Sequence, residues 1–334
     1  MFSGRIEISG RGSSRRMRYV RGPLLAPAAG EVRVRVRYAG VAYGDVMRRR
    51  GVLAPPFDCT PGYDVTGEVD ALGQGATLVQ GQRVAILLPV TGFGGYAEHV
   101  VVPAAACVPI PDAVHAREAI GLGLNAITAL QVLTRVAKVP EGGSVLVHGA
   151  AGGVGCAVLD VASQRGLRVY GTASAGKHHV VRERGGEPID YRTQDFVQVI
   201  REHTKGRGVD AVIDGIGGAH LQQSAKAVAS GGTLVALGVS GDVAGGLPGV
   251  VGGMRHVLRA ALSPSLRVRL YGITASPGCG PAACRADWAE LMRLLAAGSL
   301  RTPLIGAERA LARAEQAHAL LEGGSVTGKV VLRT

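Results

Sequence analysis

Cysteine is scarce in this chain of 334 residues, and the few present form no recognisable pattern. The five cysteines are odd in number and widely scattered, at Cys59, Cys107, Cys156, Cys279 and Cys284. This arrangement fits neither a disulfide framework nor paired C-x-x-C metal knuckles. The sequence therefore predicts ordinary reduced thiols.

Long hydrophobic runs are also missing. Gly, Arg or Pro interrupts the apolar runs before the ~18 residues that a membrane span needs, and residues 1–20 contain no apolar core of a signal peptide. Hydrophobic residues still make up 47% of the chain, enough for the two cores expected at this length. We expect a soluble, cytoplasmic protein of two domains with no membrane partner.

Lysine and aromatic residues are both rare, which bears on the formal net charge of +12. Only five of the 37 basic residues are lysines, and aromatic residues make up 4% of the chain. The dense basic segments do not interleave aromatic residues as a nucleic-acid stacking platform does. We therefore expect a solvated basic surface with a general attraction for anions and no nucleic-acid partner.

The chain changes texture near Ala116. Before it, short β-branched segments are punctuated by Gly and Pro, and the alternation in residues 32–38 is typical of a half-buried strand, so this part predicts a small β-rich domain. After it, strand-like and helix-like segments alternate, which predicts an α/β fold with a Rossmann-type, doubly wound parallel sheet. The six candidate strands span residues 144–150, 168–174, 187–192, 209–216, 232–238 and 266–274. The Gly-rich stretch at residues 238–254 predicts a loop.

A cluster of small residues, "GAAGGVG" from Gly149 to Gly155, follows the first of these strands. In a strand–turn–helix unit such a turn lets the backbone approach a pyrophosphate, and the helix start presents unpaired N–H groups to it. The context favours dinucleotide binding over a simple packing turn. The predicted contacts are Ala151, Gly152, Gly153, Val154 and Gly155.

The acidic residue typical of an NAD site is missing. Such a site has an Asp or Glu some twenty residues after the turn, whereas no acid lies between Asp160 and Glu183 here. Ser174 supplies a hydroxyl instead, and Lys177 and the neighbouring His178 can supply positive charge to a 2′-phosphate. With a further phenol from Tyr191, at the end of the third strand, the sequence predicts NADPH as cofactor.

Several segments together resemble the medium-chain dehydrogenase/reductase superfamily: "YAGVAYGDVMRRRG", "PGYDVTGEVDALGQGATLVQGQRV", "VLVHGAAGGVG", "GTASAGK" and "AHALLEGGSVTGKVVL". The chain looks most like the zinc-independent quinone oxidoreductase branch, which includes ζ-crystallin-like proteins and enoyl reductases. The resemblance implies a GroES-like catalytic domain at residues 1–118, a Rossmann NADPH-binding domain at 119–275 and a segment at 276–334 that returns to the catalytic domain. It also implies a homodimer.

Two zinc ligands of the related alcohol dehydrogenases are missing. The resemblance matches their Cys and His positions to Ala42 and Tyr63, and no four-cysteine lobe for a structural zinc is present. Zinc needs three or four converging N, S or O ligands, so we expect a metal-free enzyme. Gly44 likewise replaces a proton-relaying Ser or Thr. An enone or quinone is then an easier target than an alcohol, because its charge delocalises into an enolate.

The resemblance also suggests residue roles. Tyr63 and Tyr43 are candidates to stabilise the enolate or deliver a proton, or else form walls of an apolar pocket, and Asp45 is expected to organise their loop. The remaining predicted cofactor-binding residues are Thr128, Gly238, Ser240 and Lys329, although Lys329 can equally be structural. His99, His148, His220 and His318 lack the spacing of metal ligands or a triad and are expected to be ordinary polar positions.

The sequence leaves the substrate open. The leading hypothesis is an NADPH-dependent reductase of α,β-unsaturated carbonyl compounds or quinones. A close alternative is an enoyl-thioester reductase or a tailoring enzyme for polyketide-like intermediates. A third, of another class, is a nucleotide-binding protein without turnover that acts as a lens-type structural protein, an RNA-associated module or a membrane-surface partner.

Overall fold

The computed structural model describes residues 1–10, 16–52, 58–89, 94–237, 246–262 and 265–334. The strands in these ranges are β1 (Phe2–Ser9), β2 (Arg16–Pro23), β3 (Glu31–Val41), β4 (Asp64–Leu72), β5 (Arg83–Leu87), β6 (His99–Pro103), β7 (Cys107–Pro109), β8 (Ser144–His148), β9 (Arg168–Ala173), β10 (Gly186–Asp190), β11 (Val209–Asp214), β12 (Val228–Ala236), β13 (Arg267–Leu270), β14 (Ile305–Ala310) and β15 (Lys329–Arg333). The helices are α1 (Tyr43–Arg49), α2 (Ala116–Gln131), α3 (Gly153–Gln164), α4 (His178–Glu183), α5 (Phe196–His203), α6 (His220–Ala227), α7 (Gly246–Ala261), α8 (Pro281–Ala296) and α9 (Ala314–Glu322).

The chain forms two compact units. The first contains residues 1–127 and 281–334, and the second contains residues 128–280. The units divide after residues 127 and 280, whereas the boundaries predicted from the sequence follow residues 118 and 275. The first division falls inside the range of α2, between Ile127 and Thr128.

The first unit is built on a seven-stranded sheet. Its strand order is β14-β15-β3-β4-β5-β7, with β6 also paired to β3, and β1 and β2 form a separate antiparallel pair. The alternation predicted for residues 32–38 is present in β3, where Val32, Val34 and Val36 are fully buried. Between them, Arg33 is half-buried and pairs with Asp70, while Arg35 is exposed and pairs with Glu68 on β4. Alternate residues of β3 thus supply the core and the charged surface.

The second unit contains the predicted parallel sheet. All six predicted strands are present, in the order β10-β9-β8-β11-β12-β13, and all their pairings are parallel. The chain runs outward from β8 to β10 on one side and then from β11 to β13 on the other. The carboxyl ends of β8 and β11 therefore mark the topological switch point, where doubly wound sheets bind ligands.

The Gly-rich stretch predicted to be a loop is partly helical. Residues 238–245 lie outside the described residues, but α7 runs from Gly246 to Ala261. Val257 and Ala260 in its second half are buried in the core of the second unit. The burial of these two side chains stabilises the helix despite the low helix propensity of the glycines that precede them. The glycine content alone predicted a loop.

One described segment, Ala116–Val136, is long and apolar enough to cross a membrane by length and composition. Of its apolar window, 72% is buried inside the protein, as in the core helix of a soluble protein. The segment also contains Gly123, whose non-helical backbone kinks α2. A single helix of this kind is weak evidence for a membrane span, because length and composition also select core helices.

Candidate active site

The predicted glycine turn joins β8 to α3. Gly149 has φ of +66°, a conformation that favours glycine, and its carbonyl accepts a hydrogen bond of 2.9 Å from the N–H of Gly152. A Cβ on Gly155 would lie 2.6 Å from Cα of Ala150, so close packing of α3 against the turn requires glycine there. A Cβ on Gly149 would meet nothing within 4 Å. The turn is thus tightly packed underneath and open on its outer side.

The beginning of α3 has the features of an anion site. Gly152 is the N-cap residue, and the first N–H groups of a helix have no intrahelical acceptor. Gly153 and Val154 are only half-buried, whereas Ala151 and Gly155 are buried beneath them. The N–H groups and the positive end of the helix dipole at this open turn fit the pyrophosphate of a dinucleotide.

Ser174 and Tyr191 leave the sheet at the same edge as the glycine turn. Strands β8, β9 and β10 are in parallel register, with His148 opposite Thr172 and Asp190 opposite Ala173. Ser174 and Tyr191 therefore follow neighbouring strand ends. Tyr191 is 54% exposed, which leaves its ring available to a ligand.

Cationic side chains lie along this edge. Lys177 ends a single turn of 3₁₀-helix after Ser174 and is half-buried. Nε2 of His178 donates to the carbonyl of Ala173 over 3.2 Å, so this ring is held against the end of β9. Sequence reasoning missed Arg192, whose guanidinium carbon lies 5.8 Å from the ring centroid of Tyr191. The sequence feature that could have identified Arg192 is its position directly after Tyr191, the predicted phenol.

In the first unit, Asp45 connects the two segments that carry the candidate phenols. Its Oδ2 accepts the N–H of Ala42 over 3.0 Å and its Oδ1 accepts the N–H of Gly62 over 2.8 Å. Tyr43 directly follows the first of these donors, at the start of α1, and Tyr63 directly follows the second. The fully buried carboxylate therefore holds both phenol-bearing segments by their backbones.

Burial dominates the electrostatics of this cluster. It raises the pKa of Asp45 to about 7, although the hydrogen bonds from Ala42 and Gly62 act in the opposite direction. Burial, and then the charge of Asp45, also raise the pKa of Tyr63 well above its ordinary value. The Tyr63 phenol consequently remains protonated at neutral pH and can act as a hydrogen-bond donor.

Two residues absent from the sequence-based site extend this cluster. The hydroxyl of Tyr96 lies 3.2 Å from Oδ2 of Asp45 and 3.2 Å from Nε2 of His318, and both side chains are fully buried. His318, expected to be an ordinary polar position, therefore belongs to the network around Asp45. The contact joins residues 222 positions apart, which local patterns do not reveal.

Lys329, predicted to contact the cofactor, is paired inside the first unit. Its ammonium donates to Oδ2 of Asp64, and both side chains are almost completely buried. The N–H of Leu124 donates to the same oxygen over 2.8 Å, at the kink of α2. A Cβ on Gly123 would collide with this pair. A role for Lys329 in cofactor binding stays a prediction.

The remaining predicted cofactor contacts are Thr128, Gly238 and Ser240. Thr128 lies in α2 and is buried, with 7% of its surface exposed. Gly238 and Ser240 lie outside the described residues. Their proposed contacts with the cofactor remain predictions.

The positions that would bind zinc in the related dehydrogenases do not fit that metal. Ala42 has no ligand atom, Tyr63 is held protonated, and the neighbouring carboxylate of Asp45 already accepts three hydrogen bonds. Zinc requires several converging deprotonated ligands, which these residues do not supply.

Among the described residues, one group of potential metal ligands comes together, in the second unit. His148, Asp214 and His220 have ligand atoms within 4.8 Å of one another. His148 and His220, which lack the spacing of metal ligands or a triad in the sequence, are thus brought together with Asp214 by the fold. However, Oγ of Ser224 lies 2.7 Å from Asp214, 3.1 Å from Nε2 of His148 and 3.3 Å from Nδ1 of His220. A hydroxyl thus occupies the centre of the group, where an ion would need to lie.

These features define a dinucleotide-binding α/β unit and a β-rich unit with a buried carboxylate–phenol cluster. Comparison with known families agrees. Residues 28–112 match the alcohol dehydrogenase GroES-like domain, and residues 185–332 match the family described as zinc-binding dehydrogenase. The chain belongs to the medium-chain dehydrogenase/reductase superfamily, as a quinone oxidoreductase-like member.

Individual relatives cover different shares of the chain. The synaptic vesicle membrane protein VAT-1 homolog of Rattus norvegicus is 39% identical over 225 residues, which are 66% of this chain and 55% of that protein. The match thus spans little more than half the length of this relative. The quinone oxidoreductase of Mus musculus is 29% identical over 314 residues, 92% of this chain and 90% of that protein. A mycobacterial protein solved with NADPH has a TM-score of 0.85 and 28% identity, with 99% of this chain and 100% of that chain covered.

Proposed function

We propose that this protein is an NADPH-dependent reductase that transfers hydride to an activated C=C bond or a quinone without a metal. The observation that carries the proposal is the open glycine turn at the switch point of the parallel sheet, flanked by hydroxyl-bearing and cationic residues. The segment that follows β9, where an NAD site typically has its acid, contains no Asp or Glu before Glu183. Similarity to the mycobacterial protein solved with NADPH and to mammalian quinone oxidoreductase supports it.

The second unit supplies the cofactor contacts in this proposal. N–H groups of Gly153 and Val154 bind the pyrophosphate. Gly152, whose own N–H donates to the carbonyl of Gly149, lies against it at the same open turn, and Ala151 and Gly155 hold the turn beneath it. Ser174, Lys177 and Tyr191 bind the 2′-phosphate end, where a negative charge from Asp or Glu would repel it. When bound, NADPH supplies a hydride to the substrate.

The first unit supplies the electrophilic group. The protonated phenol of Tyr63 donates a hydrogen bond to the substrate oxygen on which negative charge develops, and such donors stabilise that charge strongly in a water-excluded site. Asp45 positions the segments of Tyr43 and Tyr63 and does not itself exchange protons with substrate. Tyr43 assists binding or proton delivery.

The test is the loss of NADPH absorbance, in EDTA, with enones, enals, quinones and an enoyl thioester, and with NADH in parallel. The proposal expects selective NADPH consumption with enones, enals or quinones. Turnover of the enoyl thioester alone would overturn the substrate class and identify a thioester reductase. NADPH binding without any turnover would overturn the enzymatic function and favour a non-catalytic dinucleotide-binding protein.

Two variants test the role of the phenols. In Tyr63→Phe the ring remains and the donor is lost, so kcat should fall by a factor of about 100, as expected for one lost oxyanion donor. Tyr43→Phe is the matched control at the other phenol, with a smaller loss. An unchanged kcat in Tyr63→Phe would remove this residue from the mechanism.

A further inference from the structure

A buried polar network lies behind the glycine turn and takes no part in the contacts proposed above. Its members come from different elements of the second unit: Asp214 ends β11, Ser224 lies on α6, His148 ends β8 and Thr172 lies on β9. All four are at least 93% buried. Buried polar groups are costly unless they are hydrogen-bonded, so the direction of each hydrogen bond is informative.

The network begins at the carboxylate of Asp214. Its Oδ1 accepts the N–H groups of Ile216 and Gly217, over 2.7 and 3.0 Å. Its Oδ2 accepts Nδ1–H of His220 over 2.9 Å and lies 2.7 Å from the hydroxyl of Ser224. Burial acts to raise the pKa of Asp214, but these hydrogen bonds and nearby His148 outweigh it and lower that pKa to about 2. An ionised carboxylate only accepts, so Ser224 donates to it.

The directions of the remaining hydrogen bonds follow one after another from that of Ser224. The single proton of Ser224 is used on Asp214, so Oγ of Ser224 accepts from Nε2 of His148 over 3.1 Å. Burial lowers the pKa of His148 to about 3, and the neutral ring therefore has one donor and one acceptor. Its Nδ1 accepts the hydroxyl proton of Thr172 over 3.0 Å. Oγ1 of Thr172 in turn accepts the N–H of Gly149 over 3.3 Å.

Traced from Asp214, the hydrogen-bond chain therefore reaches the N–H of Gly149, the first residue of the glycine turn. Gly149 has a positive φ, and its carbonyl accepts the N–H of Gly152, the N-cap residue of α3. The N–H of Ala150 also donates to the backbone carbonyl of Thr172 over 3.0 Å. The orientation of Gly149 is therefore linked both to the strand beside it and, through side chains, to Asp214 on the other side of β8.

We infer that the hydrogen-bond chain from Asp214 through Ser224, His148 and Thr172 to the N–H of Gly149 holds the glycine turn in its dinucleotide-binding conformation. Ser224, His148 and Thr172 are accordingly positioning residues for the cofactor pyrophosphate. The inference rests on the proposed function for the ligand, but its structural part concerns the turn alone. Since the pyrophosphate is common to NADPH and NADH, loss of the chain weakens both cofactors equally.

The test compares variants that remove a hydroxyl group of the chain with variants that keep the chain intact. Thr172→Val removes the hydroxyl, whereas Thr172→Ser keeps it, and Ser224→Ala interrupts the chain at a distance from the turn. Thr233→Val, at a buried threonine of β12 outside the chain, is the matched control. We expect the dissociation constants of NADPH and NADH to rise about tenfold in Thr172→Val and Ser224→Ala, as for the loss of a buried hydrogen bond. Thr172→Ser and Thr233→Val should bind as the wild type does.

A second measurement separates this inference from the proposed function. Amide hydrogen exchange over residues 149–155 of the ligand-free protein should be faster in Thr172→Val and Ser224→Ala than in both controls. Wild-type binding and exchange in those two variants would overturn the inference. Weaker binding of NADPH alone would also overturn it, since that result assigns the chain to the 2′-phosphate. A wild-type protein that binds neither cofactor would overturn the proposed function, while exchange would still decide whether the chain holds the turn.

Discussion

The phenol of Tyr63 fills the space that a side chain on Gly44 would occupy. A Cβ placed on Gly44 would lie 2.8 Å from Cζ of Tyr63 and closer still to its hydroxyl. By the resemblance to the zinc-dependent enzymes, position 63 has lost a histidine ligand and position 44 has lost a relay hydroxyl. The structure places the phenol of Tyr63 directly against Gly44, so a side chain at position 44 would require that phenol to shift.

Gly44→Ala should therefore displace Tyr63. Overpacking of this kind costs about 1–3 kcal/mol of unfolding free energy, and kcat should fall as in Tyr63→Phe. The measurement is a double-mutant cycle by urea unfolding with Tyr63→Ala, whose cavity can accept the added methyl group. A strongly reduced cost of Gly44→Ala in the Tyr63→Ala background is expected. Additive costs would show that the two residues do not compete for space.

Asp45 should make stability fall as pH rises. Its pKa is raised to about 7 in the folded protein from an ordinary value of 3.8, so the folded state binds the proton more tightly. Its stabilising contribution is complete below about pH 4 and is lost as the pH rises through 7, a difference of about 4 kcal/mol. The measurement is the unfolding free energy of wild type and Asp45→Asn from pH 4 to 8.

The comparison with Asp45→Asn is needed because other groups titrate in the opposite sense. Burial lowers the pKa of His318 and of His148 to about 3, so both destabilise the folded state as the pH falls below their ordinary range. These contributions are common to both proteins and cancel in the difference. Parallel pH profiles for the two proteins would contradict a raised pKa at Asp45, and would mean that the donors on its carboxylate outweigh its burial.

Lys177 should determine the preference between the two cofactors. Its replacement in Lys177→Ala removes a positive charge proposed to face the 2′-phosphate, so KM for NADPH should rise by about 10- to 100-fold, in line with a charge-assisted hydrogen bond. KM for NADH, which has no such phosphate, should stay the same. Arg192→Ala tests the neighbouring cation in the same assay. A Lys177→Ala variant that keeps its NADPH preference would assign the phosphate contact to another residue.

The parts of this protein that could be predicted from sequence are those encoded locally. The apolar segments of β8 and β11 and the glycines between β8 and α3 are contiguous, so periodicity and turn chemistry identify them. The network of Tyr96 and His318, and the chain from Asp214 to Thr172, join residues far apart in sequence with ordinary local patterns. The helix α7 was not predicted for the same reason. Its glycines indicate a loop, and the burial of its second half depends on contacts with elements distant in sequence.

The buried pair of Asp64 and Lys329 should be more important for stability than the exposed ion pairs. In Lys329→Met the carboxylate of Asp64 loses its counter-charge, and its Oδ1 already lacks a hydrogen-bond partner among the described residues. Removal of one partner of a buried pair typically costs about 3–5 kcal/mol. Arg333→Met, on the same strand and in an exposed pair with Glu308, is the control and should cost no more than about 1 kcal/mol.

Urea unfolding of Lys329→Met, Arg333→Met and the double variant Asp64→Asn/Lys329→Met measures these costs. The double variant should recover part of the loss, because no uncompensated charge then remains buried. Equal costs for the two single variants would contradict a structural ion pair at Asp64. The dissociation constant of NADPH for Lys329→Met, measured where the variant is fully folded, decides the other predicted role: an unchanged value assigns Lys329 to the fold alone, and a raised value assigns it to the cofactor as well.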